Sequence, residues 1–286
     1  MLRYPGGKLR IMRKIDEYIT RVYPDTNSDW IVCEPFTGGG GSLYNMAKDF
    51  PKWKFHINDF NPEIYGLWQF FHTASDKDFL TLYGMIEDQL ATVQEYNRIF
   101  DNIPDALIDK AFRIIFLNKT SFSGFVTKNR PIGGADQSGK WKVDVYWNPD
   151  NIIKGIEKMR TTLKDRILSV SCLDFGEFIR NNPSDFIYAD PPYLAYGKEW
   201  YNCSFDKSDL ERLRNDLEGN PRWCLSIDKC KEVENLFESY NNLELLIKHT
   251  AKSSYKSQAD IKSIPTAKEL MVFPKNTKRV IENTLF

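Results

Sequence analysis

Short apolar runs recur along the chain, each bounded by turn-forming residues. Trp30 to Glu34, Trp53 to Ile57, Ile167 to Cys172, Phe186 to Ala189, Arg222 to Ile227, Leu243 to Ile247 and Glu269 to Phe273 read as buried strands. Helix-length segments stand between several of them. From Lys8 to Val22, the residues Leu9, Met12, Ile15, Ile19 and Val22 fall on one face at helical spacing. Asn61-Pro62 opens a second helix, with Asn as cap and Pro in the first turn. Asp206 to Leu217 is a third. Strand and helix in alternation predict a mostly parallel sheet covered on both faces.

One stretch breaks this rhythm. Between about Ser75 and Asn148 no buried strand is evident. Residues 110–142 instead carry Lys110, Arg113, Lys119, Lys128, Arg130, Lys140 and Lys142 against one acid, Asp136. Phe112, Phe116, Phe122, Phe125 and Trp141 are interleaved, and Thr127 to Gly139 has the composition of a loop. This predicts a module inserted into the sheet domain. Its mixture of cations and rings suits phosphate contacts with base stacking. A solvated face with its own local core is the plainer alternative. A second basic segment runs from Lys248 to Arg279, with Lys248, Lys252, Lys256, Lys262, Lys268, Lys275, Lys278 and Arg279 against Asp260 and Glu269. Ser253, Ser254 and Ser257 add neutral phosphate donors. Here a DNA clamp and a plain solvated loop stand as equal alternatives.

Composition narrows the function classes. The 286 residues hold 39 basic and 39 acidic side chains, so a uniformly basic nucleic-acid coat is excluded while a local patch is not. No run of 18 apolar residues exists, and Met1 to Lys8 has no stretch of signal-peptide length, which predicts no membrane span and a cytoplasmic site of action. Five scattered cysteines without a CxxC pair predict free thiols in a reducing compartment. His56, His72 and His249 have no metal-ligand spacing, so no metal site is expected.

Two constellations carry chemistry. Glu34-Pro35-Phe36-Thr37-Gly38-Gly39-Gly40-Gly41-Ser42 follows a strand and precedes a helix, where a glycine-rich turn lets a ligand approach the backbone. After the next strand comes Asn58-Asp59, an acid placed to accept from ribose hydroxyls. Tyr44 stands where a dinucleotide fingerprint needs its third glycine, and Gly7-Lys8-Leu9 fails as a phosphate loop. A nucleoside ligand without pyrophosphate is the reading, a glycine-rich connector the alternative. The second constellation is Asp190-Pro191-Pro192-Tyr193, directly after a strand. Two prolines stiffen the turn and hold one carboxylate, one carbonyl and one ring at a strand tip. An amino group on a flat ring fits there, accepted by Asp190 and the Pro191 carbonyl and stacked on Tyr193.

Together these motifs resemble the N6-adenine DNA methyltransferases of the Dam type, which use S-adenosylmethionine. Tyr4-Pro5-Gly6-Gly7-Lys8 is similar to the family's amino-terminal motif, and Asp174-Phe175 to its acid-aromatic pair. Lys268-Glu269-Leu270-Met271-Val272 resembles its final strand. The resemblance implies an α/β, Rossmann-like, seven-stranded S-adenosylmethionine-dependent methyltransferase sheet. The catalytic domain would be discontinuous, over 1–72 and 151–286, with a mainly helical target-recognition insert at 73–150. It implies cofactor contacts from Tyr4, Gly6, Gly7, Lys8, Glu34, Phe36, Gly38, Gly40, Ser42, Asp59, Phe60, Asp174, Phe175 and Asp190. Asp190, Pro191, Pro192 and Tyr193 fall on catalytic positions. Asn118 to Phe125 resembles the family's DNA-contacting hairpin. DNA contacts are expected from Arg3, Asn118, Lys119, Ser123, Phe125, Thr127, Lys128, Arg130 and Lys140, with Arg130 foremost. Dam proteins usually carry Asn before the hairpin glycine and Arg three residues after it, where this chain has Ser123 and Thr127. GATC, often their target, is expected to lose one contact here.

The implied reaction is methyl transfer to N6 of an adenine turned out of double-stranded DNA. Tyr193 and Tyr196 would hold the base by stacking. An RNA methyltransferase and a non-catalytic DNA-binding descendant remain as rivals. A nicotinamide dehydrogenase would share the sheet but is disfavoured by the missing glycine. The oligomeric state is left open, a monomer included.

Overall fold

The apolar runs do form strands, and the computed structural model describes residues 8, 11–194, 205–248 and 266–277. Arg3, Tyr4, Gly6, Gly7, Leu9, Tyr196 and most of the basic segment after Lys248 lie outside those residues. The strands are β1 (Ile31–Glu34), β2 (Lys54–Asn58), β3 (Ile167–Ser171), β4 (Phe186–Ala189), β5 (Trp223–Asp228), β6 (Asn241–Lys248) and β7 (Thr266–Phe273). They make one sheet in the order β3-β2-β1-β4-β5-β7-β6. β1 to β5 are parallel, whereas β7 runs antiparallel between β5 and β6.

Side-chain alternation divides the core between the two faces. Val32, Phe186, Tyr188, Cys224 and Met271 enter one buried cluster. Cys33, Ile187, Ala189, Leu225, Ile227 and Val272 enter the other. The second cluster is covered by α8 (Phe175–Asn181), α9 (Lys207–Glu218) and α10 (Lys231–Leu236). The first is covered by α1 (Met12–Val22), whose Met12, Ile15, Ile19 and Val22 are buried as the spacing predicts, and by α2 (Gly41–Asp49) and α3 (Pro62–Thr73). Asn61 caps α3 by accepting from the Glu63 amide at 2.9 Å, with Pro62 in its first turn.

The stretch without strands is helical: α4 (Asp76–Asp88), α5 (Val93–Asp101) and α6 (Leu107–Thr120), before α7 (Pro149–Leu163) returns the chain to β3. Phe79, Leu82, Ile86, Ile114 and Ile115 belong to the same buried cluster as Ile64, Leu67, Trp68 and Phe70 of α3. Three residues read as a nucleic-acid surface are interior instead. Phe112 and Phe116 are core. Arg113 is buried, pairs with Glu63 and donates to the carbonyls of Ile99, Phe100 and Asn102. Four carbonyl and carboxylate partners account for this guanidinium without any phosphate.

Among the described residues no helix is long and apolar enough to cross a membrane, and Cys33, Cys172, Cys224 and Cys230 are free.

Candidate active site

Because β1 to β4 are parallel, the loops that follow them leave the same edge of the sheet. β1 and β4 are neighbours, with Val32 opposite Phe186 and Cys33 opposite Ile187. The connections diverge from this point, β2 and β3 to one side and β5 to the other. Such a switch point opens a crevice at the strand ends. It brings Glu34 and the glycine loop, Asp59, Asp174 and Asp190 to one rim.

The glycine loop depends on its glycines. Gly38 and Gly40 have φ of 50° and 68°, in the left-handed region. A Cβ on Gly40 would lie 2.2 Å from Cζ2 of Trp68. The Trp68 indole N–H donates to the Gly38 carbonyl at 2.8 Å, so α3 backs the loop directly. Asp59 accepts from the Gly38 amide at 2.8 Å and the Asn61 amide at 2.9 Å. Burial, opposed by those two amides, pushes its carboxyl up to about 6. Phe60 beside it is 61% exposed. Glu34 is fully buried and accepts from the Ser42 hydroxyl, while its Oε2 has no hydrogen-bond partner among the described residues. Burial outweighs the Ser42 bond and pushes Glu34 up to about 8. Phe36, Phe175 and Phe205 form a ring cluster beside the loop.

Asp174, expected among the cofactor contacts, has its carboxylate engaged within the protein. It caps α8 through the Gly176 and Glu177 amides, and Arg212 of α9 donates to both oxygens at 3.0 and 2.9 Å. Partial burial works against its charge, yet Arg212 and the amides hold Asp174 below the usual carboxylate range.

At the tip of β4, Lys8 is buried and donates to Asp190 Oδ1 at 2.6 Å. It also contacts Glu269 Oε1 at 3.0 Å and donates to the Tyr193 hydroxyl at 3.3 Å. Tyr193 donates in turn to Glu269 Oε2 at 3.1 Å, and Ser226 donates to Oε1 at 2.7 Å. Burial disfavours the Lys8 charge, but Asp190 and Glu269 prevail and hold it well above the ordinary lysine range. Burial and Glu269 raise Asp190, with Lys8 opposing. Tyr193, expected to offer a stacking face, is 5% exposed and packs its ring 4.8 Å from the Lys8 ammonium. Asp190 Oδ2 accepts no hydrogen bond from a described residue. Glu269 and Ser226 escaped the reading of the sequence. The signal for Glu269 was an acid leading directly into the apolar run Leu270 to Phe273.

The segment expected at DNA is a hairpin beyond α6. Phe122 N donates to the Arg130 carbonyl at 2.7 Å and Ile132 N to that of Thr120 at 2.8 Å. Tyr96 of α5 pins it, sharing a bond with the Ser121 hydroxyl and receiving one from the Arg130 amide. Asn118 is buried and its amide holds the Gly124 carbonyl at 3.2 Å, so it builds the hairpin from within and is not presented outward. Ser123 has φ of 55°. Lys119, Ser123, Phe125, Thr127 and Lys128 are half-buried, while Arg130 and Lys140 are exposed. Trp141, 58% exposed with Lys140 5.3 Å from its ring, extends the same surface. In the second basic segment, Lys268 pairs with Glu244 and Lys275 lies over Tyr240.

Comparison with known proteins converges on one assignment. The profile of the D12 class N6 adenine-specific DNA methyltransferases matches residues 4–253. Type II methyltransferase M.CviBI of Paramecium bursaria Chlorella virus NC1A is 24% identical over 253 residues, covering 88% of this chain and 91% of the relative. Type II methyltransferase M1.LlaDCHI of Lactococcus lactis subsp. cremoris is 25% identical over 272 residues, 88% and 89% of the two chains. M.MjaIII of Methanocaldococcus jannaschii, also a type II methyltransferase, is 24% identical over 222 residues, 73% and 74%. With its seven-stranded sheet and the acid-proline-proline-tyrosine turn at the switch point, the chain belongs to the D12 class N6 adenine-specific DNA methyltransferase family and is an adenine-specific DNA methyltransferase.

Proposed function

We propose that this chain binds S-adenosylmethionine at the rim of β1 and β2 and methylates N6 of an adenine turned out of double-stranded DNA. The observation that carries the reading is Asp190 at the switch point, whose Oδ2 accepts no hydrogen bond from a described residue. The donor set fits the cofactor. Among the described residues, Asp190 and Glu269 both contact the buried Lys8, so two carboxylates share one cation and the corner is suited to a cationic ligand. Glu34 Oε2 has no hydrogen-bond partner among the described residues, and Gly38 in the turn is only half-buried. When bound, S-adenosylmethionine supplies an electrophilic methyl group on a sulfonium. Asp59 would hold the ribose hydroxyls, Phe60 the adenine face, and Glu34 the amino-acid end.

The remaining chemistry belongs to the protein. The N6 lone pair of adenine is delocalised into the ring and is a weak nucleophile. Asp190 Oδ2 and the Pro191 carbonyl would accept its two N–H bonds. Both acceptors stabilise positive charge as it grows on nitrogen. The Pro191-Pro192 pair keeps them fixed, so little reorganisation accompanies the step. Tyr193 would stack on the base once it leaves its bond to Glu269. Residues 73–150 would read the target, through Arg130, Lys128, Thr127 and Lys140 on the hairpin surface, with Lys119, Ser123 and Phe125 at its base.

Sequencing of N6-methyladenine in DNA from cells expressing the chain tests this reading and supplies the target motif, GATC first. Thr127→Ala, Lys128→Ala and Arg130→Ala then separate base from phosphate contacts. A base contact should relax one position by about 1–3 kcal/mol. A phosphate contact should weaken all sequences alike and reduce the salt slope by about one. If all three variants keep the parent motif and salt dependence, the hairpin is not the reading head. No N6-methyladenine in that DNA would overturn the function itself.

Asp59 supplies a separate test. Asp59→Ala should weaken cofactor binding by about 1–3 kcal/mol, the scale of lost bonds to a charged acceptor. In the parent protein affinity should fall as pH drops through about 6, because protonated Asp59 accepts fewer bonds. Titration calorimetry between mildly acidic and neutral pH reads both effects. Unchanged affinity in the variant moves the ribose site elsewhere.

A further inference from the structure

We propose that Glu269 is a positioning residue: as a second counter-charge for Lys8 it keeps Asp190 an effective acceptor for the target amino group. The inference rests on the reading of Asp190 given above.

Among the described residues, three charges share this buried space, Lys8, Asp190 and Glu269. Lys8 lies 2.6 Å from Asp190 Oδ1 and 3.0 Å from Glu269 Oε1, so the cation is divided between two carboxylates. With Lys8 and Asp190 alone the pair would sum to zero. With Glu269 the cluster is net negative, the sign that favours positive charge developing on an amine. Glu269 is held for this purpose at both oxygens, by Ser226 at 2.7 Å and Tyr193 at 3.1 Å, and is 1% exposed. A carboxylate in an apolar strand is costly to desolvate. β7 would be more cheaply built with an apolar residue there, as at Leu270, Met271, Val272 and Phe273. The charge therefore serves Lys8 more than it serves the sheet. It also gives Lys8 a partner to move towards when a base amino group arrives at Asp190. A buried ammonium could not otherwise release its partner without stranding its own charge.

The groups facing Asp190 are Lys8, Glu269, Tyr193, Tyr188 of β4, Glu34 of β1 and Cys224 of β5. Of these, Glu269 is the like charge that raises Asp190 most directly, against Lys8.

The test is Glu269→Gln, which keeps the shape and removes the charge. Its turnover at saturating DNA and cofactor should fall at least tenfold, with KM for DNA little changed. The titration of the Asp190 carboxyl, followed by carbon NMR in the free protein, should move to lower pH because a neighbouring negative charge is gone. The acidic limb of the turnover profile should move with it. Glu269→Asp, which keeps the charge, should restore the titration midpoint. In a Lys8→Gln background, Glu269→Gln should cost much less in turnover than it does alone. If Glu269→Gln does not fold, the Asp variant and the Lys8 background carry the comparison. Parent-like turnover and an unmoved titration in folded Glu269→Gln would overturn the proposal. So would lost stability with unchanged turnover, which is a purely structural role. A folded Asp190→Ala turning over within tenfold of the parent would overturn the underlying reading instead. An inactive Asp190→Ala beside a parent-like Glu269→Gln removes only this inference.

Discussion

Asp190→Ala should cut adenine methylation by about a hundredfold or more while leaving the protein folded. The side chain is one of two acceptors assigned to N6, and its oxygens act where charge develops. Removing one preorganised group of this kind costs about a hundredfold to a thousandfold in rate. The fold should tolerate the change because Asp190 stands at the end of β4, with its side chain in one ion pair to Lys8. Truncation leaves Lys8 facing Glu269 at 3.0 Å, a balanced pair and not an orphaned charge. Methyl incorporation into DNA and a thermal melt on the same preparation are the two measurements. A folded variant turning over within tenfold of the parent would remove Asp190 from the chemistry.

The second large effect is expected at Gly40. Alanine there meets two separate penalties. The backbone has φ of 68°, which costs a residue with a Cβ about 1–2 kcal/mol. The new methyl would also lie 2.2 Å from the Trp68 ring, and overpacking of this kind costs about 1–3 kcal/mol. Trp68 cannot retreat without losing its bond to the Gly38 carbonyl. Gly40→Ala should therefore lower stability by about 2–5 kcal/mol and weaken cofactor binding as the loop shifts. Gly84 on α4 is the control, because nothing lies within 4 Å of the Cβ it would gain. Chemical denaturation and calorimetry of both variants decide the matter. Equal stability of the two would show that the loop yields easily.

Much of this architecture is legible in the sequence. The strands are legible because each is a short apolar run, and Asn61-Pro62 marks a helix start that the structure keeps. The order of strands is not local information. It follows from where the crossovers land, and the reversed direction of β7 leaves no mark in its composition. At the site, motifs disclose residue types but not their partners. Asp174 is tied to Arg212, which lies 38 positions away in sequence, and Lys8 to Glu269, 261 positions away. Charge density also misleads. Arg113 counts as basic surface in the sequence, yet four protein acceptors surround it. Asn118 is likewise polar in the string and interior in the fold.

The continuity of the first hydrophobic cluster bears on how specificity can be exchanged between relatives. Ile64, Leu67, Trp68 and Phe70 of α3 pack in one body with Phe79, Leu82, Ile114 and Ile115 of the segment that follows. That seam is not a linker, and it does not behave as a cassette boundary. A chimaera cut at residue 73 would join two half-cores from different ancestors, with voids or clashes where their side chains fail to mesh. Because Trp68 also braces the Gly38 carbonyl, such a mismatch would reach the glycine loop. Grafts between these enzymes need the inner face of α3 to travel with helices α4 to α6.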